Sequence, residues 1–465
     1  MKPEKYWWER PFRMVQTNFR EIDMADIDPD AFAESLEELG ASAVMLNAGG
    51  IIACYDTKIR EHVKNPCLRD VGFGDLAEAC RKRGIRVVAR MDFSKVRYAL
   101  YEEHPEYAYR SARGDIINYN GNVTSCPSSD YQRVIAPKIV REVCERFPID
   151  GMYFNMSGFK TSDYSYRRYG FCHCNACRKL FREYSGYDLP DSIEESSPLY
   201  ETYMHFTEKV SRENRQRIRE VIKSVNPAIA VDKMDFYRIE ANMDFHRKGP
   251  HWQYMSSCNA RVVRTTWDIA PSNASVDFLG FYYRHTAPSP YLQNLRILQN
   301  IAGFGNPDYY VIGRLDNHRD RSAFPFVKRA FAYHTRHEAL YEDMRGIADV
   351  LLIRGFRVHA EGEGMGTGGE GLGWVRMLTE SHIPFQEAAF DLLEKHPEQI
   401  KRYRTVILCG YQAFTEKTAD ILDRFVEEGG TLILAGMTGL AASKKEGFPL
   451  RSAGIRGLLS HRGYP

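Results

Sequence analysis

From about residue 10 to 345 the chain alternates short β-rich apolar runs with amphipathic helical stretches. That alternation predicts a βα barrel or an open parallel sheet. "RMVQTNF" predicts a first strand, and "DPDAFAESLEELG" a helix with an Asp start and a Gly stop. "ASAVMLN", "IRVVARMDF", "DGMYFNM" and "AIAVDKMDF" read as further strands, each after a helical segment. "SVDFLGFYYR" and "DYYVIGRLDN" are two more, separated by the helix "SPYLQNLRILQNIAG". An eighth strand would have to lie between Phe236 and Ser272.

The character changes near residue 346. "GIADVLLIRG", "YRTVILCG" and "TLILAG" read as three buried strands, with helices in "WVRMLTESH" and "TEKTADILDRFVEEGG" and an apolar turn at "IPF". This predicts a small doubly wound domain over 346–465 after a barrel over 1–345. Such sheets usually hold more strands, so the chain is expected to be a piece of a longer protein. The glycines of "EGEGMGTGGEGLG" lack the spacing of a dinucleotide-binding turn and read as a loop. No organic cofactor is expected.

Composition narrows the class. A chain of 465 residues predicts at least two domains. With 43% hydrophobic and 27% charged residues it reads as an ordinary globular protein. A net charge of +2 gives no footprint for nucleic acid or a membrane surface. No apolar run is long enough for a spanning helix, and the amino terminus lacks a secretion-signal core. Ten cysteines do not form a dense disulfide framework, so a reducing cytoplasm is expected. The 28 Tyr, 25 Phe and 5 Trp would supply flat faces for sugar rings, although core packing accounts for most of them.

Several predicted strands end in polar residues: Asn18, Asn47, Arg90 with Asp92, Asn155, Asp235, Arg284 and Asp316. Barrel active sites are built at that edge. Separately, "FCHCNACRKLF" sets Cys172, Cys174 and Cys177 in a C-x-C-x2-C cluster at a helix start, a spacing that can place three thiolates around one ion. Cys126 is the expected fourth ligand and His173 its competitor, with a structural zinc as the expected metal and a redox or empty thiol cluster as the other reading.

The barrel pattern, the "CHCNACRKLF" helix start and "SHIPFQEAAFDLLEKHPEQIKRYRTVILCGYQAFTEKTADILDRFVEEGGTLILAG" resemble the glycoside hydrolases related to β-galactosidases with a trimerisation domain. The barrel, with "DGMYFNM", "RIEANMDF" and "DYYVIGRLDN", is closer to a subgroup known as hypothetical glycosyl hydrolases. The resemblance implies a (β/α)8 TIM barrel followed by a flavodoxin-like domain of the class I glutamine amidotransferase type. It also implies a carbohydrate substrate, a zinc held by four cysteines and a homo-oligomer, dimer or trimer.

One departure bears on the chemistry. The β-galactosidase relatives carry an Asn-Glu pair after the fourth strand and a Glu after the seventh. Here the fourth strand ends Asn155-Met156, and "FYYRHTA" holds no Glu. The carboxyl groups a glycosidase needs must come from elsewhere. Glu240 ranks first, followed by Asp316 and Asp92, while Asp235 reads as structural. Asn18, Asn47, Arg90, Asn155, Arg238, Asn242, Trp252, Arg284 and His285 are expected to bind substrate, with Arg90, Asn155, Arg284 and His285 as binders of hydroxyls or a carboxylate. The rival reading is a non-catalytic carbohydrate-binding or sensing protein on a degenerate barrel.

Overall fold

The computed structural model describes residues 5–193, 197–242, 253–269, 271–280, 283–354, 369–410, 415–436, 438–439 and 450–453. Eight parallel strands dominate the first three quarters: β1 (Met14–Asn18), β2 (Ala43–Gly50), β3 (Arg86–Asp92), β4 (Gly151–Phe154), β5 (Ala230–Val231), β6 (Tyr237–Ala241), β7 (Pro271–Val276) and β8 (Asn306–Ile312). Their order in the sheet is β5-β4-β3-β2-β1-β8-β7-β6. The two outer strands meet at a parallel bridge between Asp232 and Phe236. The sheet therefore curls on itself, consistent with a TIM-like barrel.

Local sequence explains the helices that carry the strands around. In α1 (Pro29–Leu39) the Asp28 carboxylate accepts from the amides of Asp30 and Ala31, Pro29 fills the first turn, and Gly40 ends the helix at φ 87°. Phe32, Ala33, Leu36 and Leu39 make one apolar face, and all four are buried. After α2 (Phe73–Lys82), α3 (Ala136–Arg146) and α4 (Asn175–Ser185), the 28-residue α5 (Pro198–Val225) begins on a Ser197 cap and packs beside α3.

Strand register decides which side chains point inward. Paired positions on neighbouring parallel strands share a face, and successive residues alternate. Gln16 pairs with Tyr310, Asn47 with Arg90, Arg90 with Tyr153, and Ala274 with both Glu240 and Asp308. The Arg238 guanidinium lies 5.4 Å from the Tyr153 ring and 5.2 Å from that of Tyr310, rings on strands that do not flank its own. This face is therefore the barrel interior. Its floor is apolar, with Trp7, Trp8, Phe12, Met14, Met45, Val88 and Phe236 in one cluster, and polarity rises toward the carboxyl edge.

Three strand assignments differ from the sequence expectation. The eighth strand is "YRIEA", so Glu240 lies within β6 and not beyond the fifth strand. The fifth strand shrinks to Ala230–Val231, and Asp235 falls in the turn, accepting from the Val231 amide at 2.9 Å and pairing with Lys223 at 2.7 Å. β7 stops at Val276, which moves Arg284 and His285 away from a strand end.

A second parallel sheet follows, with β9 (Val350–Arg354), β10 (Phe385–Ala389), β11 (Thr405–Cys409) and β12 (Thr431–Ala435) in the order β10-β9-β11-β12. Four strands stand where three were expected, because "IPF" opens β10 and is not merely a turn. Most of the glycine-rich segment lies outside the described residues. The helix α6 (Met255–Trp267) packs against β10, with Arg261 reaching Glu387 at 3.1 Å and the Thr266 hydroxyl accepting from the Ala389 amide at 2.9 Å. Glu387, wholly buried, also meets Arg354 at 2.8 Å.

Candidate active site

Two carboxylates reach the upper interior from opposite flanks of the sheet. On β3, Asp92 is almost fully buried. Its Oδ1 accepts from the Ser94 amide at 3.0 Å and the Ser94 hydroxyl at 2.6 Å, and its Oδ2 accepts from the Asn155 side chain at 2.7 Å. Burial alone would raise this carboxyl, but Lys95, Arg90, Ser94 and Asn155 together hold it below the usual carboxylate range. The residue after Asn155, Met156, takes a left-handed φ of 53°. The residue after Asp232, Lys233, does the same at 61°. Such conformations cost a non-glycine residue about 1–2 kcal/mol and cluster at functional sites. A glycine is required at position 50, where an added Cβ would meet the Asp92 carbonyl oxygen at 2.1 Å.

On the other flank, Arg238 donates to Glu240 at 2.6 Å and to Asp308 at 3.3 Å. The Glu240 side chain is 31% exposed, whereas those of Arg238 and Asp308 are fully buried. Ser272 adds a hydroxyl to Asp308 at 2.9 Å. Burial raises the Asp308 carboxyl to about 6 even though Arg238 opposes it. Asp232, at the end of β5, is also raised to about 6 by burial, opposed by Lys233 and Arg238, and accepts the Arg238 amide at 3.1 Å. Asp232, Asn155 and Ser94 line a cavity of about 70 Å³ whose far wall is Ser211, Asn214 and Ile218 of α5.

The remaining expected residues fall into groups. Asn18 donates to the Tyr310 hydroxyl at 3.0 Å, and Asn47 donates to Asn18 at 3.4 Å while accepting from the Phe19 amide at 3.1 Å. Arg90 sits on the same interior face. Asn242 follows β6, its Oδ1 enclosed and without a hydrogen-bond partner among the described residues. Arg238, expected to touch substrate, is enclosed beneath Glu240 and holds it in place. Arg284 stands 6.0 Å from the Tyr164 ring, and His285 is exposed. Asp316 is bound by Arg314 through both carboxylate oxygens, and Arg314 also pairs with Asp26 at 2.7 Å. Trp252 lies outside the described residues.

Three buried carboxyls on or directly after barrel strands were not singled out from the sequence. The expected strand "DYYVIGRLDN" starts at Asp308 and "AIAVDKMDF" runs through Asp232, so neither stands at an expected strand end. Asp277 follows β7, where its Oδ2 meets His318 Nε2 at 2.8 Å. Ser275 bonds the Gln293 carbonyl of the outer helix α7 (Pro290–Ala302), so Asp277, two residues on, also faces the helical layer and not the cleft. Alternation from an assigned strand end would have found both facts.

The four cysteines do come together. Cys126, Cys172, Cys174 and Cys177 are all buried, with sulfurs within 4.8 Å of one another. Tetrahedral coordination at about 2.3 Å would set sulfurs about 3.8 Å apart, so the donor set fits a metal ion. Cys174 caps the helix Asn175–Ser185, accepting from the Cys177 amide, and the thiols around it push its own pKa far down. His173, the competing ligand, is buried between them in sequence but belongs to no such cluster among the described residues.

Comparison with known proteins adds to this geometry. Residues 28–156 match the family model described as hypothetical glycosyl hydrolase 6. Curated proteins give no sequence match. Among solved structures, α-L-fucosidase isoenzyme 2 from Paenibacillus thiaminolyticus superposes with a TM-score of 0.72 at 19% identity, over 92% of this chain and 64% of that one. A GH42 β-galactosidase from G. stearothermophilus gives 0.73 at 16% identity over 94% and 73%. The β-galactosidase of Bacillus circulans sp. alkalophilus gives 0.67 at 13% over 92% and 72%. The chain thus spans only 64 to 73% of the length of these relatives. Its barrel resembles that of a hypothetical glycosyl hydrolase family, and its fold is shared with β-galactosidases and an α-L-fucosidase.

Proposed function

We propose that this chain is a glycoside hydrolase acting on an oligosaccharide or small glycoside at the carboxyl edge of its barrel, with Glu240 as a catalytic carboxylate. The observation that carries the reading is the position of Glu240, partly open to the cleft and fixed from below by a buried Arg238–Asp308 pair. A carboxylate oriented in this way meets the requirement for pre-organised catalytic groups.

Glycoside cleavage needs one carboxylic acid to protonate the leaving oxygen and a second group to stabilise the oxocarbenium-like transition state or activate water. The interior carboxyls differ in this respect. Asp92 is held ionised by its neighbours, while Asp232 keeps its proton up to about pH 6. Groups whose environments push them apart are candidates for opposite roles. Asp232 fits the proton-bearing role and Glu240 that of the second group, with Asp92 adding fixed negative charge at the site. Asp316, the remaining candidate, would orient the loop after β8 through Arg314. Asn18, Asn47 and Asn155 would accept and donate to sugar hydroxyls.

The same reading makes residues 346–465 a flavodoxin-like association domain that forms a dimer or trimer, and it places a zinc at the four cysteines. All four positions of that tetrahedron would be protein thiolates. The ion would then brace the loops holding Cys126 and Cys172–Cys177 and take no part in bond cleavage. The relatives in Paenibacillus and Bacillus are named for α-L-fucose and β-galactose, and both sugars belong in the first panel of substrates.

A specific observation favours the rival reading of a carbohydrate-binding protein. Glu240 and Asp316 are both engaged by arginines, and Asp92 is committed to Ser94 and Asn155. A panel of aryl glycosides assayed with wild type and Glu240→Gln separates the two. Hydrolysis lost at least 100-fold in the variant supports the enzyme, and equal turnover removes Glu240 from the chemistry. Saturable sugar binding with no turnover supports the binding protein.

A further inference from the structure

Arg90 is a buried guanidinium on the interior face of the barrel. It lies on the interior face of β3, level with Asn47 on one side and Tyr153 on the other. It is only 8% exposed, and its Nε is enclosed with no hydrogen-bond partner. Among the described residues its guanidinium makes no hydrogen bond or ion pair. Asp92, two residues along the same face, feels the Arg90 charge but makes no hydrogen bond to it, its oxygens being taken by Ser94 and Asn155. Buried charges are ordinarily paired, since an uncompensated one is costly to remove from water. Two more cations stand at this edge of the barrel around Tyr164, with Lys95 Nζ 4.9 Å and the Arg284 guanidinium 6.0 Å from its ring.

Neutral sugar hydroxyls need no buried charge, since amide and hydroxyl side chains such as Asn18 and Asn47 satisfy them. A planar fork of N–H donors that stays ionised fits a planar carboxylate in two-point contact. We propose that Arg90 receives a carboxylate carried by the substrate, so that the barrel acts on glycosides of uronic acids. This rests on the glycoside hydrolase reading and narrows its substrate class. Arg90 and Asp92 share the interior face of β3, which would set the sugar ring against the ionised carboxylate of the site. A sulfate ester on a neutral sugar is the other source of a fitting anion.

The test uses matched p-nitrophenyl glycosides in both anomers: glucuronide against glucoside, galacturonide against galactoside, and the 6-sulfated forms. The expected result is a kcat/KM for one uronide at least 100-fold above its neutral partner. Arg90→Gln should raise the KM for that uronide at least 30-fold more than the KM for the neutral partner, any change in kcat that acts through Asp92 being common to both. Arg90→Lys, which keeps the charge without the fork, should fall between. A thermal midpoint for each variant checks folding, and if Arg90→Gln does not fold, the wild-type preference and Arg90→Lys decide. Neutral glycosides cleaved as fast as uronides, or equal losses on both in Arg90→Gln, would overturn the inference while leaving the hydrolase reading intact. Preference for the sulfated forms would also overturn it, in favour of a sulfate-ester site. A wild type inert on the whole panel would overturn both readings.

Discussion

The Asn155 side chain donates to Asp92 Oδ2 at 2.7 Å, joining the ends of two neighbouring barrel strands. The fourth strand ends Asn155-Met156, so no carboxylate stands there, and the Asn155 amide serves the acid next door. Removing it leaves a nearly buried carboxylate short of a donor, which costs roughly 1–3 kcal/mol. Asn155→Leu should lower stability by about that amount in urea titration and raise the Asp92 carboxyl. Unchanged stability would show that water replaces the amide without loss.

Arg238 carries two carboxylates, and its removal strands the deeper one. Arg238→Leu leaves Asp308 buried with no cation, and breaking such a pair costs about 3–5 kcal/mol. Glu240→Gln leaves the Arg238–Asp308 pair intact, so its urea midpoint should stay close to wild type while hydrolysis falls. The double variant Arg238→Met with Asp308→Leu should recover much of the stability lost by Arg238→Leu alone. A double variant as unstable as the single would contradict this account of the pair.

Metal removal should act on stability before activity. Protein purified without chelator is expected to carry one zinc per chain by elemental analysis, and Cys177→Ser to carry less. Stripping the ion exposes the cost of four buried thiols and should lower the melting temperature by roughly 5–10 °C, the shift expected for a few kcal/mol in a domain of this size. Absence of metal from freshly purified protein would leave the cysteines as a thiol cluster.

His62 accepts the Gly50 amide at 3.0 Å through Nε2, and burial lowers its pKa to about 4 from the ordinary 6.5. The unfolded chain therefore takes up this proton first as pH falls. The contribution is fully present above about 6.5 and is lost progressively down to about 4, amounting to about 3 kcal/mol at the acid end. Asp232 and Asp308 act in the opposite sense, because their raised carboxyls make the fold less stable as pH rises from about 4 to 6. The net curve mixes both, so the readout is a difference. His62→Gln should lose less stability than wild type between pH 6.5 and 4.5 in urea titrations. Parallel curves would remove His62 as a source of acid sensitivity.

Long, strongly patterned elements were legible in the chain itself. The Asp28 cap, the Gly40 stop and the apolar face of Phe32, Leu36 and Leu39 are set by contacts within a few residues, so local sequence specifies them. The same holds for β1 to β4 and for the three strands expected in the second sheet. "YRIEA" escaped notice because it is short, carries Arg and Glu, and follows its neighbour after only five residues. Its strand character comes from pairing with β7, a partner some 30 residues away in the chain.

The sequence by itself determined the parallel α/β architecture and gathered three of the four cysteines into one loop, since periodicity and close spacing are local properties. Tertiary structure alone decided which charged residues face one another. Barrel closure set Arg238 between Glu240 and Asp308, brought Asn155 to Asp92, and set Arg90 on the interior face, where its charge acts on Asp92 without a hydrogen bond between them. The physical reason is that strand register fixes which side chains share the interior, and register depends on neighbours distant in the chain. Burial then assigned the carboxyls their different proton affinities, which no residue type carries on its own.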